Sequence, residues 1–447
     1  MKIIIAGAGE VGLYLSRMLA QDHHDIVVVD TDREVLSVVE SQTDVITIQG
    51  NATSINTLER AGAAVADLLI AVTQLEQVNI LTAAIGKQLG AKRTIARVEN
   101  SEYLQENCCV DFRTMGIDSM IYPSELATSE IIWLIKQATA RNAFEFENGK
   151  LILLEMSVQE NSPVVNKSIM EIARLYPNLN FRIVAMVRNA KTIIPSGDNS
   201  LRRHDLIFII TDPTSIDGII EFTGNKKIII KNIMILGGSQ LGEKTAKRLE
   251  KNFAVKLIER SRDRCDQLAA SLPDTLILHG DGRNMDLLTD EGIESMDAFI
   301  AVTDDTETNI MTSLSAKRKG VKKTIALVEN MDYMLLTQNL GIDTVINQKL
   351  IAAGHIFSFI RKGEIVLLMN LSDADAEICE YIVKPDTKIT QSAIRDLSEF
   401  PKGAIIGGVI RNDSCFITVG DSVLRPDDRV VVFSRPEAVQ KVDTFFH

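Results

Sequence analysis

The sequence predicts an α/β protein built in tandem: two doubly wound parallel-sheet domains, each followed by a small α+β module. Three observations carry this prediction. The chain repeats itself, since TIARVENSEY (94–103) returns as TIALVENMDY (324–333), an offset of 230 residues (94 to 324). Within each repeat, short β-branched runs alternate with helix-length stretches, the pattern of a parallel sheet covered on both faces. Both repeats then change to strands separated by turn residues, with little helix between them. With 447 residues, 45% of them hydrophobic, the chain is long enough for several separate cores.

At the same offset LIAVTQLEQVNI (69–80) faces FIAVTDDTETNI (299–310), and QGNATSINTL (49–58) faces HGDGRNMDLL (279–288). GAGEVG (7–12) faces GGSQLG (237–242). MGIDSMI (115–121) pairs with LGIDTVI (340–346) after a small gap. The tails match more weakly: IVAMVRNAKTIIPSGDNSLR (183–202) and IGGVIRNDSCFITVGDSVLR (406–425) keep R-N and G-D in register. The expected division is 1–136 and 225–357 for the large domains, and 137–224 and 358–447 for the small modules.

The elements of the first repeat follow in order. KIIIA (2–6) is a short β-branched run suited to a buried parallel strand. Glu10 to Gln21 reads as a helix, with Val11, Leu15, Met18 and Leu19 on one side. DIVVVD (25–30), DVITIQG (44–50), DLLIAVT (67–73) and RTIARV (93–98) are further strands. In the small module, LILLEMSV (151–158), RIVAMV (182–187), TIIPSGD (192–198) and DLIFIIT (205–211) are strands, with one helix near Lys167–Leu175.

GAGEVG follows a strand and opens a helix, the setting of a Rossmann-like dinucleotide fingerprint. Gly7 makes the tight turn, Gly9 lets backbone approach a pyrophosphate, and Gly12 lets helix pack on strand. The helix N-terminus offers unpaired N–H groups to phosphate. Asp30 ends the second strand, where an acid hydrogen-bonds ribose hydroxyls and favours NAD over NADP. In the second copy Ser239 replaces the second Gly, and a side chain there crowds a pyrophosphate. Glu259 takes the acid's place, and Arg260 after it reads either as a phosphate partner or as a solvated surface residue. Gly50, Asn51, Thr73 and Arg97, with Gly280, Asp281, Thr303 and Asp304 in the second copy, fall at strand C-termini, where ligands of such sheets bind. Turn chemistry accounts for Gly, Asn and Asp there equally well. Arg97 faces Leu327, so a phosphate role for it belongs to the first copy.

The formal net charge of -12 argues against a nucleic-acid partner. No apolar run approaches the ~18–20 residues of a spanning helix. The opening MKIIIAGAGEVG reads as a strand and not as a signal peptide, and a cytoplasmic protein is expected. Five scattered cysteines include no Cys-x-x-Cys pair, and Cys108-Cys109 reads as packing. His23-His24-Asp25 lies in a helix-to-strand turn whose counterpart is Asn-Phe-Ala, so a metal site is not expected. A dehydrogenase needs an acid or base beside its nicotinamide. None of His23, His24, His204, His279, His355 and His447 pairs with another across the repeat. The expectation is a chain that binds a nucleotide without transforming it; the alternatives are an oxidoreductase from a duplicated gene, or a regulator of another cation transporter.

The order of modules, with GAGEVG, VVVDTD, IQGNAT, IAVT and TIARVENSEY in one half and LIER, HGDG, IAVTDD and TIALVENMDY in the other, resembles the TrkA family. Its members are tandem RCK (KTN/TrkA-C) regulatory subunits of bacterial Trk potassium uptake. The resemblance covers essentially the whole chain. It implies two Rossmann-like RCK-N domains, each with an RCK-C (TrkA-C) module. It further implies a homo-tetrameric ring, peripheral on the inner face of the plasma membrane through a potassium channel subunit of the TrkH type. NAD(H), ATP or ADP in the Rossmann sites would shift ring geometry; the small modules of related proteins serve assembly and sometimes bind cyclic di-AMP. By matching position, Gly7, Gly9, Glu10, Val11, Gly12, Asp30, Thr31, Asn51, Ala52, Thr73 and Arg97 would line the first site, Glu10 and Val11 through backbone N–H groups. Gly237, Gly238, Ser239, Gln240, Leu241, Gly242, Glu259, Arg260, Asp281, Gly282 and Thr303 would line the second. Asn51 and Gln74 stand where the second copy has Asp281 and Asp304, so the two sites are expected to differ in ligand or affinity.

Overall fold

The structure is a computed structural model that describes residues 1–447 except 22–23, 105–108, 141, 147–148, 190, 331–332, 335–336, 338–339, 361–364, 371–375, 398, 413 and 447. β1 (Lys2–Ala6), β2 (Asp25–Asp30), β3 (Ile46–Gln49), β4 (Leu68–Ala71), β5 (Arg93–Arg97) and β6 (Ser119–Ile121) form a sheet in the order β3-β2-β1-β4-β5-β6. Ile3 pairs with Ile26 on one side and Leu68 on the other, both in parallel register. With helices over both faces, β1 buries every residue after Lys2, and this is why its sequence is an unbroken apolar run. The order reverses between β1 and β4, which opens a crevice at their carboxyl ends.

β7 (Asn142–Phe146), β8 (Leu151–Ser157), β9 (Phe181–Arg188), β10 (Lys191–Ile193) and β11 (Leu206–Thr211) form an antiparallel sheet in the order β10-β9-β11-β8-β7. The second large sheet, from β12 (Asn232–Leu236), β13 (Ala254–Glu259), β14 (Thr275–His279), β15 (Ala298–Ala301), β16 (Lys323–Leu327) and β17 (Thr344–Ile346), has the order β14-β13-β12-β15-β16-β17. β18 (Ile365–Asn370), β19 (Glu377–Ile382), β20 (Ala404–Arg411), β21 (Ser414–Ile417) and β22 (Arg429–Ser434) close the chain as β18-β19-β22-β20-β21. Each sheet of the second half thus repeats the topology of its counterpart. The expected fold class, two Rossmann-like sheets each with a small α+β module, is what the chain adopts.

The two small sheets share a core. Leu153, Phe208 and Ile210 of one pack with Ile378, Val431 and Phe433 of the other. The opposite face of the first, with Ile152, Leu154, Ile207 and Ile209, packs under helices Ile169–Leu175 and Ile216–Phe222. β8 and β11 are therefore buried on both faces, so their sequences do not alternate.

The repeated R-N has two separate causes. Arg188 Nε and Nη2 donate to the two carboxylate oxygens of Asp205 at 2.8 and 2.6 Å, and Arg411 does the same to Asp428 at 2.7 and 2.7 Å. Both aspartates are 1% exposed. Asn189 and Asn412 each hold φ 53°, the left-handed conformation that Asn tolerates in a tight turn.

By packing, the chain divides into two compact units, Met1–Ser129 with Ile346–Ile360, and Glu130–Val345 with Arg361–His447. Helix Gln348–Ile360 follows the second sheet in sequence but packs on helix Glu10–Gln21. Arg93 holds its far end: Nη1 donates to Phe359 O at 3.1 Å, and the guanidinium stands 5.5 Å over the Phe359 ring. A cation suits the carbonyl end of a helix. Lys323, the counterpart of Arg93 at the start of β16, is 1% exposed and donates through Nζ to Ala140 O at 3.0 Å.

The repeats also exchange volume. A Cβ on Gly282 would lie 2.1 Å from Cδ1 of Leu236. In the first copy these positions are Ala52 and Ala6, members of one core cluster. A large residue beside glycine in one copy replaces two alanines in the other. Gly282→Ala is expected to cost about 1–3 kcal/mol by overpacking. Combined with Leu236→Ala it should cost less than the two changes summed, by about 1 kcal/mol or more in a denaturant-unfolding cycle. Strict additivity would show that the two positions do not share space. Asp205→Ala leaves the half-buried Arg188 charge without its carboxylate and should cost about 3–5 kcal/mol. Hydrogen exchange of the β9 and β11 amides measures it, and a loss below about 1 kcal/mol would place the pair with ordinary surface ion pairs.

Candidate functional site

In both large sheets the candidate residues gather at the carboxyl edge, because each parallel strand ends there. Gly7 (φ 110°) turns the chain out of β1, and its N–H donates to Val29 O at 2.9 Å. A Cβ on Gly12 would lie 1.9 Å from Gly7 O, so only glycine lets helix Glu10–Gln21 start this close to the strand. Gly242 meets Gly237 O at 2.0 Å in the same way. A Cβ on Gly9 would meet nothing within 4 Å, which leaves the space that a close-approaching phosphate needs.

The acid of each site braces the loop. Asp30 accepts from Ala8 N at 2.7 Å and from Asp32 N at 3.0 Å; Glu259 accepts from Gly238 N at 2.8 Å and from Ser261 N at 2.7 Å. Each carboxylate keeps acceptor capacity for a ribose hydroxyl. The side chains of Val11, Ala52 and Leu241 are buried, so these residues can meet a ligand only through backbone. Thr31 and Asn51 are exposed at the strand ends, and Asn51 Oδ1 accepts from Thr53 N at 2.9 Å. The guanidinium of Arg97 is turned to Glu99, with Nη2 to Oε1 at 2.7 Å, so a phosphate there competes with that carboxylate. Ser239 donates to Val302 O at 2.9 Å and accepts from Gly242 N at 3.3 Å. Its hydroxyl thus caps helix Gln240–Leu249 at an amide that Gly9, without a side chain, cannot cap in the first copy.

A cavity of about 510 Å³ lies at the second sheet's carboxyl edge. Gly237, Gly238, Ser239, Glu259, Arg260, Asp281, Gly282 and Thr303 line it; Gln240, Leu241 and Gly242 stand behind the loop in the helix. Its charge is mixed. Arg283 grips Asp281 (Nη2 to Oδ2 2.6 Å) and, with its own N–H, holds that carboxyl down to about 2. Arg264 Nε donates to Gly238 O at 2.8 Å and Nη2 to Glu243 at 2.6 Å, tying the glycine loop to the helix. Arg260 is exposed and makes no ion pair among the described residues. The first copy has no arginine at these places: Thr31, Val35 and Thr53 stand there.

Sequence reasoning missed Asn79 and Asn309. Asn79 Oδ1 accepts from Thr73 N and Oγ1 at 2.8 and 2.7 Å, and Nδ2 donates to Thr73 O and Arg97 O at 3.0 and 2.9 Å. Asn309 repeats all four bonds on Thr303 and Leu327. One buried amide therefore sets the ends of two neighbouring strands in each site. The signal was present, since both Asn fall at the 230-residue offset (79 to 309). Lys349, whose Nζ is paired with Glu10 Oε2, gave no such signal. His23, Cys108 and His447 lie outside the described residues. Among the described residues, no three His, Cys, Asp or Glu cluster so as to hold a metal.

Known proteins place this architecture. The TrkA-N domain matches residues 3–123 and 233–348, and the TrkA-C domain matches 153–224 and 378–447. The Trk system potassium uptake protein TrkA of Halomonas elongata is 34% identical, over 97% of this chain and 95% of its own length. A TrkA homolog of Archaeoglobus fulgidus is 33% identical over 100% of both chains. Among solved structures, the GsuK RCK domain covers 99% of this chain and 94% of its own, with a TM-score of 0.60 at 18% identity. The GsuK channel bound to NAD covers 99% of this chain and 78% of its own, with a TM-score of 0.59 at 18% identity. With both domain types matched twice and full-length relatives a third identical, the chain belongs to the TrkA family.

Proposed function

We propose that the chain is a nucleotide-binding regulatory subunit of a Trk-type potassium uptake system, which binds its ligand without turning it over. The single observation that carries this reading is the doubled constellation of glycine turn, strand-end acid and helix N-terminus at a sheet switch point, in a chain whose relatives are named potassium uptake proteins. NAD(H), with ATP and ADP beside it, is the ligand class; GsuK, a channel of the same fold, has been solved with NAD and with ADP.

In the first site the glycine loop and helix N-terminus would take the pyrophosphate, and Asp30 a ribose hydroxyl. The second site offers Glu259 for the ribose and the exposed Arg260 for phosphate. Gating needs only that the nucleotide bind one arrangement of the assembly better than another; about 1–3 kcal/mol of coupling alters opening several-fold. The partner would be a membrane potassium channel subunit of the TrkH type, the assembly a homo-tetrameric ring, and the location the inner face of the plasma membrane.

Calorimetric titration with NADH, NAD, ATP and ADP, with assembly mass recorded in parallel, is expected to show binding without consumption. Gly9→Glu fills the open space beside the loop with a carboxylate and should weaken the first site at least ~10-fold with an unchanged melting temperature. Steady oxidation of NADH with a small substrate would replace this reading with the oxidoreductase. Failure to restore potassium uptake to cells lacking their own regulatory subunit would point to another transporter.

A further inference from the structure

The helix Gln348–Ile360 brings a charge to the first glycine loop from a distant part of the sequence. Lys349, in its first turn, pairs with Glu10, the residue that opens helix Glu10–Gln21 directly after Gly9. The two side chains are 34% and 58% exposed, so solvent and ligand both reach the pair. Glu10 stands at the end of the helix where a phosphate would bind, and a carboxylate there opposes a second anion. Two described arginines at or just beyond strand ends of this sheet are engaged with carboxylates: Arg97 with Glu99 at 2.7 Å and Arg33 with Glu40 at 2.8 Å. The second copy has the neutral Gln240 in place of Glu10 and carries arginines in its cavity instead.

We infer that Lys349 is a ligand-binding residue of the first site, exchanged between the Glu10 carboxylate and the phosphates of the bound nucleotide, so that this site reads phosphate charge. The inference rests on the nucleotide-binding reading above. An ammonium on a flexible stem acts as a point charge and can swing between two neighbouring anions without the planar match that arginine requires. Glu10 then serves as a stand-in anion that holds the ammonium at the loop when no phosphate is present. The ligand class this favours is an adenine nucleotide with several phosphate charges over one with few.

The test titrates the full chain, with the second site weakened by Glu259→Ala, using ATP, ADP and AMP at low and physiological salt. Lys349→Gln is expected to lower ATP affinity ~10-fold and AMP affinity only ~2-fold, with the difference shrinking as salt rises. Glu10→Gln, which removes the competing carboxylate, is expected to raise ATP affinity ~3-fold. A merely structural ion pair predicts changes of the same sign in both variants, and that result overturns the inference. So does an equal loss for ATP and AMP. Unchanged melting temperatures certify that the exposed substitutions leave the fold intact. Gly9→Glu in the same background separates the two levels. If the parent binds and Gly9→Glu abolishes binding, the reading stands and the two charge variants decide the role of Lys349. If the parent binds no nucleotide, or Gly9→Glu leaves binding unchanged, the site itself is wrong and the inference falls with it.

Discussion

In each half one glycine is pressed against another. Gly12 sits against the carbonyl of Gly7, and Gly242 against that of Gly237, at separations that no side chain could share. This contact fixes how near the first helix can start to the first strand. It thereby fixes where the helix's open N–H groups point, and which space remains beside Gly9. The acid at the end of the neighbouring strand then locks the turn from the other side, by accepting the amide of the residue after the first glycine. Asn79 and Asn309 perform the same service for the next two strands. The candidate site is the meeting of these three restraints at the crevice where the strand order reverses.

Duplication has kept the restraints and altered the chemistry. Both copies preserve the glycine contact, the strand-end acid and the buried Asn, which hold backbone. What varies is what stands at the crevice: Gly9 against Ser239, Asn51 against Asp281, and Thr31, Val35 and Thr53 against three arginines. Ser239 can be accommodated because its hydroxyl turns to the helix cap and the Val302 carbonyl. The second cavity would therefore meet an anion mainly through side chains, and the first, on the reading proposed here, through amides, the helix end and Lys349.

Much of this was legible in the sequence. Alternating strands and helices, two Gly-rich turns and a strand-end acid are local patterns, and their physical reasons are local: period, turn geometry and helix capping. The tandem order follows from repetition alone. The unread parts depend on contacts between distant segments. Lys349 and Glu10 are 339 residues apart. Arg264 braces the loop from a helix where the other copy has Val35, so the repeat offered no comparison. Arg97 carried the signature of a phosphate residue, yet its guanidinium faces Glu99, two positions along the chain. The R-N pair suggested a turn; its Asn makes one, while its Arg reaches a buried Asp seventeen residues on, from 188 to 205.

The small sheets have no face to spare. Leu153, Phe208 and Ile210 of the first are covered by Ile378, Val431 and Phe433 of the second, and the far side of the first is already closed by its helices. A chain cut between the halves would therefore expose an apolar sheet face, a surface prone to aggregation unless covered. The two faces are fitted to each other: a Cβ on Gly408 of the second sheet would lie 2.6 Å from Cδ2 of Leu151, and the first sheet has Val184 and Ala185 where the second has Gly407 and Gly408. The tandem chain thus ties two unequal halves together. The tie frees each half to change its ligand-facing residues without the other having to follow, which self-association of a single gene product would never permit.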